Sequence, residues 1–315
     1  MPEPLPPYPA LDGASVQEDQ PLADLAPDAL APETLSMETQ ARRGLFPRGL
    51  SQPAGGFRFG ADTLLLAAFA ARSLPLAGAK GPQPLTGLDL GTGCGAAAFG
   101  LLLLRPDLDL SLTGIDSGPE MVAAAAENAR ALDLAGRFQA ELADVQDYCR
   151  NGRRAGAGPG FDLALANPPF RPCGTGRTCA GAARNRARFE GPGGFQAFAA
   201  CAARNVRPRG RLFLVHLAER LPELLRVLED AGLAPRRALP VQGTVGQTPR
   251  LVLLECLNHG LSGDLSGGQR GDRRGGRAGF ALLAPLHLYA QDGALTPEAA
   301  RFCPPLATNP RRAGA

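Results

Sequence analysis

The feature that most constrains this chain is an alternation that begins at Leu85. A short apolar run, a glycine turn and a helical pattern recur one after another. Leu85–Leu90 reads as a buried strand, Gly91–Gly95 as a turn and Ala96–Leu104 as a helix. Leu110–Asp116 is a second strand, followed by an alanine-rich helix over Pro119–Leu134. Phe138–Ala143 and Phe161–Ala166 are the third and fourth strands. A helix over Phe195–Asn205, a strand over Arg211–His216, a helix over Pro222–Ala231 and a strand over Arg250–Leu257 continue the series. Phe280–Tyr289 reads as an edge strand and Pro297–Phe302 as a short last helix. Strands that alternate with helices pair in parallel, because a crossover long enough for a helix joins them. The expectation is an α/β fold with a mostly parallel sheet and helices on both faces.

The remainder of the 315 residues divides around that series. Residues 1–40 carry eight prolines and eight acids with no Lys or Arg, which reads as a disordered acidic tail. That tail is −8, so the rest of a chain of net charge +3 is +11, a balance suited to a polyanionic partner. Lys80 is the only lysine, and the arginine preference is what a GC-rich genome would also give. Folded structure is expected from Gly44 to Arg58 onward, with a helix that starts at a capping Asp62. Residues 260–279 hold eight Gly and four Arg, a flexible insertion in a domain that otherwise spans 41–315. Such an insertion is either a passive loop or an RNA contact.

Several classes are excluded. No apolar run reaches the roughly 18 residues of a membrane span, and the N-terminus lacks the pattern of a secretory leader. Seven scattered cysteines form no Cys-x-x-Cys, and the three histidines stand apart from them, so no metal site is expected. Cys173 and Cys179 are the only close pair. Reduced thiols suit a cytoplasmic location, and the protein is expected to be a monomer.

Two constellations carry chemistry. The first is Leu88-Asp89-Leu90-Gly91-Thr92-Gly93-Cys94-Gly95, between a strand and a helix. Gly91 and Gly93 allow a sharp turn and a close ligand approach, and Gly95 allows tight packing. Asp116 ends the next strand, 25 residues after Gly91, where an acid can accept both ribose hydroxyls of an adenosine. Asp144 follows the third strand and can meet an adenine amine, or can simply cap a turn. The third glycine comes two residues after the second, whereas dinucleotide folds place it three after.

The second is Asn167-Pro168-Pro169-Phe170, directly after the fourth strand. The prolines stiffen the turn. The Asn167 carboxamide oxygen and the Pro168 carbonyl are both acceptors, suited to a planar amine with two N–H bonds. Accepting both draws the lone pair out of conjugation, so catalysis is positioning plus stabilisation of charge growing on nitrogen. Phe170 offers a stacking face for a flipped base.

The acid-x-Gly-x-Gly-x-Gly run resembles that of S-adenosylmethionine-dependent methyltransferases. Asn-Pro-Pro-Phe resembles the motif of those that methylate exocyclic amines of adenine or guanine, or a glutamine amide. The segment Gly55-Gly56-Phe57-Arg58-Phe59-Gly60-Ala61-Asp62-Thr63-Leu64-Leu65-Leu66 resembles the bacterial valine-tRNA adenine-N6 methyltransferases, as do Arg184–Glu190 and Pro285–Tyr289 with Asp292-Gly293 and Thr296–Ala299. The resemblance covers roughly residues 38–258 and 280–302. It implies a Rossmann-like seven-strand sheet and S-adenosyl-L-methionine as cofactor, held by Asp62, Asp89, Gly91, Thr92, Gly93, Gly95, Asp116, Asp144 and Asn167. It implies catalysis by Asn167, Pro168, Pro169 and Phe170, with tRNA as the partner. Arg171, Arg184 and Arg188 lie where substrate would enter, in a run with no acid before Glu190, and arginines there would bind phosphates. The chain departs from the family in its acidic tail, its Gly/Arg insertion and the phenylalanine where many members have tyrosine. Guanine-N2 enzymes often carry Asn-Pro-Pro-Phe, and that alternative stays open beside protein glutamine. Release-factor enzymes usually add an N-terminal helical domain, for which residues 1–40 are too polar. A non-catalytic RNA-binding module and a small-molecule methyltransferase are the remaining alternatives.

Overall fold

The computed structural model describes residues 35–53, 58–74, 84–151, 160–170, 194–259 and 279–308. Strands β1 (Leu85–Leu90), β2 (Leu110–Asp116), β3 (Phe138–Leu142), β4 (Phe161–Ala166), β5 (Val206–Leu217), β6 (Leu233–Thr244), β7 (Leu251–Asn258), β8 (Ala281–Leu282) and β9 (Leu286–Tyr289) form one nine-stranded sheet. The order is β3-β2-β1-β4-β5-β7-β6-β8, with β9 also on β6. β1 to β5 pair in parallel, and β7 runs antiparallel between β5 and β6. The mostly parallel α/β architecture is as expected. The strand count of seven is corrected to nine among the described residues, and β8 and β9 are the reason for one of the two extra strands. The single edge strand expected over Phe280–Tyr289 is two short ones, separated at Leu283–Pro285.

The other extra strand is β6, a stretch in which Pro235 and Pro240 argue against sheet. Pro235 falls at a register shift against β7. Pro240 falls in the gap between the part of β6 that pairs with β8 and the part that pairs with β9. Its missing N–H therefore costs the outer ladder no partner.

Helices cover both faces. On one lie α2 (Ala61–Ser73), α3 (Ala96–Leu104), α4 (Pro119–Ala131), α8 (Pro297–Phe302) and α9 (Pro304–Ala307). On the other lie α5 (Val145–Asn151), α6 (Gly194–Asn205) and α7 (Leu221–Asp230). Strand residues divide between the two with period two: Leu163, Leu165, Phe213 and Val215 face the first set, and Ala164, Ala166, Leu212 and Leu214 the second. Nine consecutive residues of α2, Thr63 to Ala71, are buried, so this helix is enclosed rather than laid on the surface.

Two boundaries differ from the sequence reading. The cap of α2 is Gly60, and Asp62 lies in the first turn, where its Oδ1 accepts from the Thr63 backbone N at 2.9 Å. Order also begins inside the segment assigned to the tail, with α1 (Met37–Gly44) capped by Ser36. No residue of α1 is buried, so no apolar stripe announces it. Arg43 fastens it by donating to the carbonyls of Leu132 and Asp133 at the end of α4. The Arg171, Arg184 and Arg188 segment, the close cysteine pair and nearly all of the Gly/Arg insertion lie outside the described residues. Among the described residues no helix is long and apolar enough to cross a membrane, and no cluster of His, Cys, Asp or Glu could hold a metal ion.

Candidate active site

Strand order reverses between β1 and β4, and in open α/β sheets that reversal leaves a crevice beyond the carboxyl ends of the strands. Leu90 pairs with Ile115 on one side and with Ala166 on the other. The glycine turn after β1, Asp116 at the end of β2 and Asn167 after β4 therefore converge on one edge of the sheet.

The turn is built for close approach. Gly91, Gly93 and Gly95 have φ of 70°, 57° and 89°, a region that L side chains rarely adopt. A Cβ on Gly93 would meet nothing within 4 Å, so the backbone faces open space there. Asp116 closes the crevice: its Oδ2 accepts from Gly93 N at 2.9 Å and its Oδ1 from Gly118 N at 2.8 Å. Each oxygen keeps a second lone pair for a hydroxyl. Burial pushes the Asp116 carboxyl above its ordinary range, against the pull of those two amides.

Asp89 and Thr92 turn inward instead. The Thr92 hydroxyl donates to Asp89 Oδ2 at 2.7 Å, and both residues are buried. Burial lifts the Asp89 carboxyl to about 6, with the nearby Asp116 charge adding to the rise. Asp144 is exposed beyond β3, where one oxygen accepts from Gln146 N at 2.8 Å and starts α5. Its main role among the described contacts is that of a cap, one of the two readings its sequence position allowed.

Asn167 is partly exposed, and its Nδ2 donates to Thr63 Oγ1 at 2.8 Å. Asp62 reaches the same amide, and burial raises the Asp62 carboxyl while hydrogen bonds from Thr63 and Asn167 pull it back. Phe170 is half-buried, its ring centroid 5.0 Å from that of His216.

The structure adds three residues that sequence reading did not select. Thr63 holds Asn167. His216, near the end of β5, lies between Phe170 and Phe195; its Nδ1 accepts from Leu217 N at 2.8 Å, and its buried Nε2 has no partner among the described residues. Burial lowers its pKa to about 4, so the ring is neutral at physiological pH. Asn128, buried on α4, donates to the carbonyls of Cys94 and Ser51 and accepts from Ser51 N, which clamps the segment before α2 onto the glycine turn. Each is a single polar residue in an ordinary setting, so no spacing distinguishes it.

No family model matches the chain. A tRNA1(Val) (adenine(37)-N6)-methyltransferase from Tolumonas auensis is 28% identical over 205 residues, 65% of this chain and 78% of that one. A release factor glutamine methyltransferase from Cereibacter sphaeroides is 35% identical over 162 residues, 49% of this chain and only 55% of its own length. Among solved structures, a predicted O-methyltransferase from Agrobacterium tumefaciens superposes with a TM-score of 0.53 at 18% identity, covering 78% of this chain and 96% of that one. The fold is that of a methyltransferase. The resemblance to S-adenosylmethionine-dependent methyltransferases read from the sequence thus holds, and the valine-tRNA adenine enzymes are among the relatives found.

Proposed function

We propose that this protein is a methyltransferase that uses S-adenosyl-L-methionine to methylate the exocyclic N6 amine of adenine in tRNA, at the adenine 3′ of the anticodon of valine tRNA. Residues 41–315, with α1 reaching back to Met37, form the catalytic domain, and the segment before α1 and residues 260–279 are additions to it. One observation carries the reading most directly: Asn167 stands at the carboxyl end of β4 beside the glycine turn, its amide nitrogen already engaged by α2. The valine-tRNA relatives supply the substrate class.

The crevice fits the cofactor. Open space in front of Gly93 admits a ligand against the backbone, and the lone pairs left on Asp116 suit two ribose hydroxyls. Asp144 keeps an oxygen for the adenine amine. Asp89 and Thr92 support the turn from beneath, and Asp62 borders the methionine end. When bound, S-adenosyl-L-methionine supplies an electrophilic methyl group. The Asn167 Oδ1 and Pro168 carbonyl accept the two N–H bonds of the target amine and free its lone pair for attack. Pro169 keeps the turn rigid, and Phe170 stacks on the base. With the cofactor held there, the amine nitrogen would take the methyl group from the sulfonium as a neutral thioether departs, and the amine proton would pass to water afterwards. Arg171, Arg184 and Arg188 bind the substrate's phosphates.

A second reading, methylation of a protein glutamine amide, rests on the release factor relatives. Labelled methyl transfer to bulk tRNA from a strain lacking the activity separates the two. N6-methyladenosine is expected with the wild type, and a loss of about 100-fold or more with Asn167→Ala. Label in guanosine, or in release factor and not in tRNA, overturns the adenine assignment.

A further inference from the structure

We propose that Thr63 and Asp62, in the first turn of α2, are positioning residues that hold the Asn167 side chain with its carbonyl oxygen turned toward the acceptor amine. The inference rests on the role given to Asn167 above and deepens it. A primary carboxamide has two donors on nitrogen and an acceptor on oxygen. The Asn167 nitrogen gives one hydrogen to Thr63 Oγ1 at 2.8 Å, and Asp62 engages the same side chain. With its nitrogen committed to α2, the amide has its oxygen left for a ligand.

The opposite orientation is disfavoured by the chemistry of the pair. As a carboxylate Asp62 only accepts, and a flipped Asn167 would then set its oxygen against the oxygens of Asp62; burial raises that carboxyl, so the opposition acts above its folded-state pKa. Thr63 cannot rescue that arrangement freely, because its hydroxyl also lies within 3.5 Å of Asp62 Oδ1 and has one hydrogen to give. The two residues are themselves fixed. Thr63 is buried, and the Asp62 carboxylate folds back onto the Thr63 backbone N. A Cβ at Gly60 would lie 2.7 Å from Asp62 Oδ1, so a side chain at that position would push the carboxylate aside. Thr63 belongs to an enclosed helix, so the anchor is as rigid as the core behind it.

The test uses the full chain labelled with nitrogen-15, and the Asn167 side-chain amide signals are identified by their loss in Asn167→Asp. Thr63→Val keeps the shape and removes the acceptor. The expected result is hydrogen exchange of the Asn167 amide at least about tenfold faster than in wild type, with recovery in Thr63→Ser. In methyl transfer the same variant is expected to lose about tenfold or more in kcat. Its KM for tRNA and its cofactor affinity by calorimetry should stay within about twofold, and serine should restore the rate. Should Thr63→Val fold poorly, Thr63→Ala serves, being a better helix former. Unchanged amide exchange in the folded variant overturns the proposal, as does an equal loss of kcat in the valine and serine variants. A different methylated product would sink the substrate assignment, whereas the exchange measurement decides the orientation of Asn167 independently.

Discussion

Two buried ionisable residues near the crevice should leave opposite marks on stability. Asp89 keeps its proton in the folded state up to about 6, whereas the unfolded carboxyl has lost it above its ordinary value of 3.8. His216 refuses its proton down to about 4, whereas the unfolded imidazole holds one below 6.5. Between pH 4 and 6 the folded chain therefore carries one extra proton at Asp89 and lacks one at His216, and the two contributions cancel in the slope. Asp89→Asn should uncover the histidine: relative to wild type, its stability rises with pH across that window by about 3 kcal/mol. His216→Asn should show the opposite trend, a relative fall of similar size as pH rises. Urea unfolding at several pH values reads both, and parallel curves for all three proteins would refute the assignment. The glycine turn and the Asn-Pro-Pro turn were legible in the sequence because each concentrates unusual residues in a short span. Thr63 and His216 were not, since one sits in an apolar helix and the other in an apolar strand, and only the fold brings them to Asn167 and Phe170.

At the level of elements, the apolar runs of β1, β2 and β4 and the helix α3 were readable to the residue, because each is bounded by a turn or a proline-rich break. β6 was not, because its two prolines look like loop and only its neighbours make them harmless. α1 was hidden by the proline-rich stretch before it and by the lack of any buried face. A charged cluster that no pattern could reveal ties α2 to the antiparallel half of the sheet. Glu255 on β7 is buried and accepts from Arg211 of β5 at 2.9 Å and from Arg237 of β6 at 2.6 Å. The same two arginines donate to the Ser73 carbonyl and hydroxyl at the end of α2. Replacing the carboxylate by a neutral amide leaves the two guanidinium charges uncompensated. Glu255→Gln should cost about 3 kcal/mol, visible as a lower midpoint in thermal unfolding, and should loosen α2 more than the distant α7 in hydrogen exchange. A midpoint equal to wild type would show that the cluster contributes nothing.

For the whole molecule, the decisive quantity is where charge lies along the chain. Residues 1–34 hold seven of the acids and no base, so the body that would meet a nucleic acid is far more basic than the net charge suggests. Affinity for tRNA should fall steeply between 50 and 200 mM salt, by roughly tenfold or more, as phosphate neutralisation requires. Deleting residues 1–34 should strengthen binding and steepen that dependence, because a competing polyanion tethered to the same chain is removed. Filter-binding titrations across salt concentrations check both, and equal slopes with and without the segment would refute the second.

The two ends of α2 have a joint consequence. Its first turn grips Asn167, and its last residue is bolted through Ser73 to β5 and β6. A helix fastened at both ends moves as one piece or not at all, so anything that shifts it on one ligand's arrival must be felt by the other. Thermodynamic reciprocity then sets a sharp relation for the proposed pair: any factor by which the cofactor changed the affinity for tRNA would equal the factor by which tRNA changed the affinity for the cofactor. Loosening the bolt with Ser73→Ala, which removes the hydroxyl that Arg237 donates to, would drive both factors toward one.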